Sequence, residues 1–301
     1  MSHNHSHNHH SVNYSKFFAI GVILNGIFVV IEATYGILAK SMALLADAGH
    51  NLSDILSLLL AWGAALLAAR AATDQRTYGF RKTTIMASLI SAIVLLIALG
   101  GITLEAIGRF SDPEAIQGST MIIVAAIGVV INTTTALLFV SGRKADLNIR
   151  AAFLHMAADA GVSFGVVVTG IIIVFTDWSW IDPLISLLIV AIILIGTWSL
   201  LRDSINLAID SVPKNIDVAE IKQYLRSQEN VCQIHDLHIW SLSTTEIAMS
   251  VHLIVSDKPA NNNFLFEIQQ HLHDHFGIEH ATIQIETEAD GECILDRDSC
   301  I

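Results

Sequence analysis

"LLADAGHNLSD", residues 44–54, sets an aspartate, a histidine and a second aspartate inside an apolar run that continues as "ILSLLLAWGAALLA", 55–68. A bilayer core about 30 Å thick takes roughly 20 apolar residues as a helix, and this run is long enough to span it. An aspartate at the centre of such a helix costs about 2.5–3.5 kcal/mol to insert, so ionisable groups there signal function. His50 and Asp54 stand four residues apart and therefore share one helix face. In another apolar stretch, "FLHMAAD", 153–159, the same spacing returns as His155 and Asp159.

The rest of the 301-residue chain fits a membrane setting. Only 15% of its residues are charged and 53% are hydrophobic, whereas soluble domains carry about 25% charged residues. Six segments are long and apolar enough to span: about 16–38, 42–69, 84–108, 117–140, 151–175 and 180–201. The connections "RAATDQRTYGFRK", 70–82, and "SGRKADLNIR", 141–150, hold Arg70, Arg76, Arg81, Lys82, Arg143, Lys144 and Arg150. The opposite connections hold only Lys40 and Arg109 near their ends, with Asp112, Glu114 and Asp177. The excess of basic residues on one side places both termini in the cytoplasm. The polar start "MSHNHSHNHH" is no cleavable signal peptide, and Cys232, Cys293 and Cys300 are too few and too scattered for a disulfide framework.

Charge marks a boundary near Arg202. From Asp203 onward 17 acidic residues face 5 basic ones, and the whole net charge of −12 lies there. Such a domain argues against nucleic acid as a partner. Its pattern reads helix 218–228, strand 232–242, strand 246–255, helix 264–276, strand 281–286, an αββαβ order that suggests a small α+β domain with its helices on one face of the sheet. The expected organisation is a His-rich tail (1–14), a six-helix transmembrane domain (15–202), a cytoplasmic domain (203–288) and an acidic tail containing Cys293 and Cys300 (289–301).

If the second and fifth spans pack with their motif faces opposed, two imidazoles and two carboxylates converge. Two nitrogens and two anionic oxygens suit tetrahedral zinc, and an ion of charge +2 cancels the two carboxylates. A His–Asp hydrogen bond within each helix would explain one such motif. Two copies in separate spans, each among small residues (Ala46, Ala48 and Gly49; Ala157, Ala158, Ala160 and Gly161) that permit close packing, favour a shared site. Free imidazole titrates near neutrality and metal must displace its protons, so the same four side chains can hold either metal or protons. That is the minimum requirement for exchange.

"SMALLADAGHNLSDILSLLLAW", "TYGFRK", "HMAADAGVS", "WIDPLISLLIV" and the closing "HDLHIW" and "HATIQIE", in this order around six spans, resemble the cation diffusion facilitator family of zinc exporters over about residues 15–288. The resemblance implies a Zn²⁺/H⁺ antiporter of the inner membrane that works by alternating access. It also implies a homodimer joined through a ferredoxin-like, metallochaperone-like cytoplasmic domain, and a compact bacterial version of the family. By position its transport site falls on His50, Asp54, His155 and Asp159. A second metal site found in some relatives falls where Asp74 is retained but Arg76 and Phe80 replace ligands, so no metal is expected there. His235 and His252 match positions that bind regulatory metal in some relatives, with Gln284 and Glu286 standing where the last strand supplies partners. Cys293 and Cys300 match cysteines that join N-terminal histidines in others, although spaced more widely.

Further candidates follow from the residues themselves. Asp47, one turn before His50, and Glu32 are candidates for proton traffic or accessory roles. Asn25 and Asn132 suit helix–helix hydrogen bonds, and Asp182 suits the cap of its own helix ahead of Pro183. His3, His5, His7, His9 and His10 form either a zinc-collecting tail or an incidental one. His271, His273 and His275 read as a solvated helix face. An intramembrane metalloprotease would need a general-base glutamate in HExxH; the chain has none, and Glu32 and Glu105 lie outside both motifs. A non-transporting metal sensor is the remaining alternative class. Cd²⁺, Co²⁺ or Fe²⁺ as the main substrate is the alternative within transport.

Overall fold

The computed structural model describes residues 14–112, 115–140, 147–256 and 263–287, with side chains from Ile23 onward in the first helix. The N-terminal histidines His3, His5, His7, His9 and His10, and the tail cysteines Cys293 and Cys300, lie outside the described residues. Helices α1 (Tyr14–Ala39), α2 (Met42–Ala68), α3 (Thr83–Ser111), α4 (Gly118–Phe139), α5 (Leu147–Thr176) and α6 (Ile181–Ala208) correspond to the six expected spans. Five of them are long and apolar enough to cross a bilayer by length and composition, and α1 contributes the apolar helix Ile23–Ala39. The C-terminal domain follows as α7 (Val218–Arg226), β1 (Val231–Ser241), β2 (Ile247–Val255), α8 (Asn263–Phe276) and β3 (Ile278–Thr287). This is the expected αββαβ order.

The chain divides into two compact units, Met1–Leu58 with Ile93–Thr197, and Leu59–Ala92 with Trp198–Ile301. In the first, Phe28, Leu44, Leu99, Met121, Val166 and Ile189 belong to one buried core, while Ile97, Leu104, Phe175 and Ile195 stand exposed on the helices where lipid would meet them. Glycine sets the helix spacing. A Cβ on Gly128 of α4 would lie 2.6 Å from Phe28 Cζ of α1 and 3.1 Å from Ser163 Oγ of α5. One on Gly170 of α5 would lie 2.7 Å from Ile122 Cγ1 of α4. The small residues around the second motif do not serve this purpose. Ala157, Ala158 and Gly161 are exposed, and nothing lies within 4 Å of a Cβ built on Gly161. Rotation of α5 about its axis turns Ser163, Val166 and Gly170 inward instead.

The start of α2 is capped from a distance. Ser41, just before the helix, accepts from Leu44 N through Oγ (3.2 Å) and donates to Asp182 Oδ1 (2.6 Å). Asp182 Oδ2 accepts from Met42 N at 2.6 Å, and Oδ1 from Ala43 N at 3.3 Å. Asp182, expected to cap its own helix, thus caps α2. It sits inside the first turn of α6, where its side chain reaches the orphan N–H groups of the neighbouring helix.

In the second unit the sheet order is β1-β2-β3, with β1/β2 antiparallel and β2/β3 parallel. The parallel pair requires a crossover, which α8 supplies. Asp217 caps α7 by accepting from Ala219 N at 2.8 Å. Ile221 and Leu225 of α7 and Ile268 and Leu272 of α8 are buried with Ile239, Met249, Val251 and Leu253 of the sheet. Alternation along β2 therefore turns His252 to the face away from the helices. The basic connection between α2 and α3 meets this domain: Arg81 pairs with Glu246 at 3.1 Å, Lys82 with Asp210 at 2.7 Å, and Thr244 N donates to Thr84 Oγ1 at 3.1 Å. Arg76 lies over the Phe80 ring, 4.6 Å from its centroid.

Candidate metal centre

Helical spacing puts His50 and Asp54 on one face of α2, and His155 and Asp159 on one face of α5. The structure brings all four together. His50 Nε2 lies 3.6 Å from both Asp54 Oδ2 and Asp159 Oδ1. His155 Nε2 lies 3.3 Å from Asp54 Oδ2 and 3.7 Å from Asp159 Oδ2. The imidazole rings meet edge to face with centroids 6.1 Å apart. Each helix therefore gives one nitrogen and one carboxylate, and every carboxylate touches a histidine of the other helix. Tetrahedral zinc with ligands at about 2.0–2.2 Å separates neighbouring donor atoms by about 3.4 Å, and these spacings straddle that value. The ligand atoms of Asp54, His155 and Asp159 lie within 4.8 Å of one another, a spacing that suits a metal ion, and His50 adjoins them through both carboxylates. Asp159 is buried, His50 and Asp54 are half-buried, and the His155 side chain is 42% exposed, so the centre is shielded on one flank and reachable on the other.

Around it sits a buried polar group. Glu32 and Asp47 are both fully buried and lie against each other. Asn51 Nδ2 donates to Glu32 Oε2 at 3.3 Å, and Ser163 Oγ donates to Asp47 Oδ2 at 2.8 Å. Asn51 and Ser163 lie within four residues of a motif residue on their own helices, next to His50 and one turn beyond Asp159. The sequence offers no means of telling them from other polar residues in spans. Asn25 Nδ2 reaches Met156 Sδ of α5 at 3.5 Å, as expected of a helix–helix contact. Asn132 differs: it is buried, and neither amide atom has a hydrogen-bond partner among the described residues.

A second cluster lies on the sheet. His235 of β1 and His252 of β2 are register partners, and their rings meet at 5.0 Å. Glu286 of β3 joins them, with Oε2 3.2 Å from His235 Nε2 and Oε1 2.9 Å from His252 Nδ1. Two imidazoles and a carboxylate on a part-buried surface form a credible three-ligand set for zinc. Gln284, the other expected partner, instead donates to Glu286 Oε1 at 2.8 Å and orients it. Asp236 belongs here although the sequence did not single it out. The β1 register shifts between His235 and His238, Asp236 has φ of 51°, and its carboxylate comes within 3.6 Å of His252 Nε2 and 2.8 Å of His238 Nε2. A bulge re-aims a side chain in this way, and alternation alone does not reveal it.

Comparison with known proteins agrees with this architecture. The family model of the cation efflux transmembrane domain matches residues 18–207, and that of the cation efflux protein cytoplasmic domain matches residues 213–288. A "Cadmium, cobalt and zinc/H(+)-K(+) antiporter" of Bacillus subtilis (strain 168) is 38% identical across 94% of this chain and 92% of its own. The "Metal cation efflux system protein CzcD" of Cupriavidus metallidurans is 36% identical across 95% of this chain and 90% of its own. The "Zinc transporter ZitB" of Escherichia coli (strain K12) is 35% identical across 95% and 93%. With both domains matched in order and relatives aligned over nearly their whole length, the chain belongs to the cation efflux family, the cation diffusion facilitators.

Proposed function

We propose that this multi-pass membrane protein exports Zn²⁺ from the cytoplasm in exchange for protons. The observation that carries this reading is the convergence of His50, Asp54, His155 and Asp159 from two bilayer-length helices. A cytoplasmic Zn²⁺ reaches the site, sheds its water for two nitrogens and two oxygens, and displaces the protons those groups carry. The net charge of ion plus carboxylates is then zero, which lowers the cost of holding it in the bilayer. When the bundle re-exposes the site to the far side, protons compete for the same nitrogens and the ion leaves. Glu32 and Asp47 serve as accessory groups for proton passage beside the four ligands, and Asn51 and Ser163 hold them in place.

The protein works in the inner membrane with both termini in the cytoplasm. This orientation rests on the basic connections and on the pairing of Arg81 and Lys82 with Glu246 and Asp210 near the C-terminal domain. That domain forms the homodimer contact, and the His235–His252–Glu286 cluster takes Zn²⁺ as a regulator. The relatives' names extend to cadmium and cobalt, so these ions are second substrates to be tested beside zinc.

Proteoliposomes carrying a zinc dye and a pH dye test the proposal. Zinc uptake accompanied by opposite proton movement, with both abolished in Asp54→Ala/Asp159→Ala, is the expected result. Zinc binding without flux in the wild-type protein would favour the sensor reading.

A further inference from the structure

The outer flank of α8 carries a pattern used by neither metal cluster. Glu267, His271 and His275 follow one another at four-residue intervals, so they form one stripe along the helix. The His271 and His275 rings lie against each other at a tilt, with centroids 4.1 Å apart and planes inclined by 31°. Tyr224 of α7 stacks on His271 at 3.9 Å and 11° and fixes its ring. His275 is exposed and His271 half-exposed, leaving their edges open to solvent.

We propose that His271 and His275 chelate a divalent cation of the zinc class, with water completing its coordination. An i,i+4 histidine pair on one helix face is a sound bidentate frame. Zinc–nitrogen bonds of about 2.0–2.1 Å at tetrahedral angles need the two nitrogens about 3.4 Å apart; with the His271 ring held by Tyr224 and the ring centroids 4.1 Å apart, turning the exposed His275 side chain brings its nitrogen to converge on that of His271. Imidazole binds metal only when unprotonated. Desolvation, and then the neighbouring His275, push the His271 pKa below the usual imidazole value, the direction that favours the metal-binding form. The domain's excess of 17 acidic over 5 basic residues from Asp203 onward draws cations toward it.

This site is separate from the sheet cluster. Val251 and Leu253 face the helix layer in the buried core, so His252 between them faces the opposite side of the sheet, with His235 and Glu286. The third histidine of the turn is engaged elsewhere: His273 Nδ1 meets Asp274 Oδ1 at 2.9 Å, and Nε2 meets Glu279 Oε2 at 3.4 Å. It provides an internal control. With two protein ligands against three in the sheet cluster, the α8 site fills at higher free metal.

Equilibrium dialysis of the full-length protein in nanodiscs against rising free Zn²⁺ tests this, with bound zinc counted per chain. His271→Ala/His275→Ala should lose one ion from the weakest class while the tighter ions stay. His273→Ala should retain every ion. Single His275→Gln, on an exposed position, should show the same loss and guards against a folding defect in the double variant. Unchanged zinc binding in His275→Gln and the double variant, or loss of the same ion in His273→Ala, overturns the proposal.

Discussion

Replacing Asp182 by Ala should destabilise the transmembrane unit measurably, because one carboxylate answers the start of α2. Its two short bonds, to Ser41 Oγ and Met42 N, are both 2.6 Å and fully buried. Hydrogen bonds to a charged group contribute about 1.5–3 kcal/mol each, and removing the acceptor leaves buried donors with nothing in its place. Setting aside the longer bond to Ala43 N, the expected loss is about 3–6 kcal/mol. Asp182→Asn keeps one acceptor oxygen and most of the volume, so about half that loss is expected. Ser41→Ala also removes the bond to Leu44 N and should fall between wild type and Asp182→Ala. Equilibrium unfolding in mixed detergent–SDS micelles, followed by tryptophan fluorescence, gives the three differences on one scale. An Asp182→Ala protein within about 0.5 kcal/mol of wild type, well under one such bond, would refute the distant cap. So would an Asn variant less stable than the Ala variant.

Three further outcomes are expected. Gly128→Ala and Gly170→Ala should each cost about 1–3 kcal/mol by overpacking, because their added methyls would meet Phe28 and Ile122 at 2.6 and 2.7 Å. Gly161→Ala, with open space around it, should be neutral or stabilise by up to about 1 kcal/mol through helix propensity; the same unfolding assay ranks them. In NMR titration of the histidine rings, His273 should titrate above the usual imidazole value, held up first by its hydrogen bond to Asp274 and then by Glu279. Asp274→Asn should bring it down. The stability this adds is present below the ordinary imidazole pKa and lost as pH rises through the raised one, whereas the lowered His271 disfavours the folded state at acid pH and ceases to matter above its ordinary value. Glu286→Gln should weaken zinc binding at the sheet cluster while leaving the four membrane ligands intact, which dialysis at low free zinc resolves.

What the sequence disclosed follows the range of the interactions involved. The spacing of His50 to Asp54 and of His155 to Asp159 is a property of the helix itself, so the face carrying each pair was legible before any packing was known. Polar connections closed most spans within a few residues. Helix α6 instead runs on to Ala208, because the residues beyond Leu201 are polar but carry no helix breaker. The role of Asp182 was hidden, since its partner Met42 lies 140 residues away. Which small residues pack was hidden for another reason. A span that is apolar nearly all round carries no stripe to set its rotation, so Gly161 and Gly170 look alike in sequence, yet only Gly170 meets a neighbour. Asp236 escaped because a bulge breaks the alternation on which strand reading depends.

The central claim is that one cation is held by His50, Asp54, His155 and Asp159 together. X-ray absorption at the zinc edge tests it most directly, on protein loaded with one equivalent of zinc in which His235, His252, His271 and His275 are replaced by Ala and residues 1–10 removed. The account predicts a four-coordinate shell of two imidazole nitrogens and two carboxylate oxygens, which loses one nitrogen in His50→Ala and one oxygen in Asp159→Ala. A shell rich in water oxygens, or one unchanged by either substitution, would contradict it.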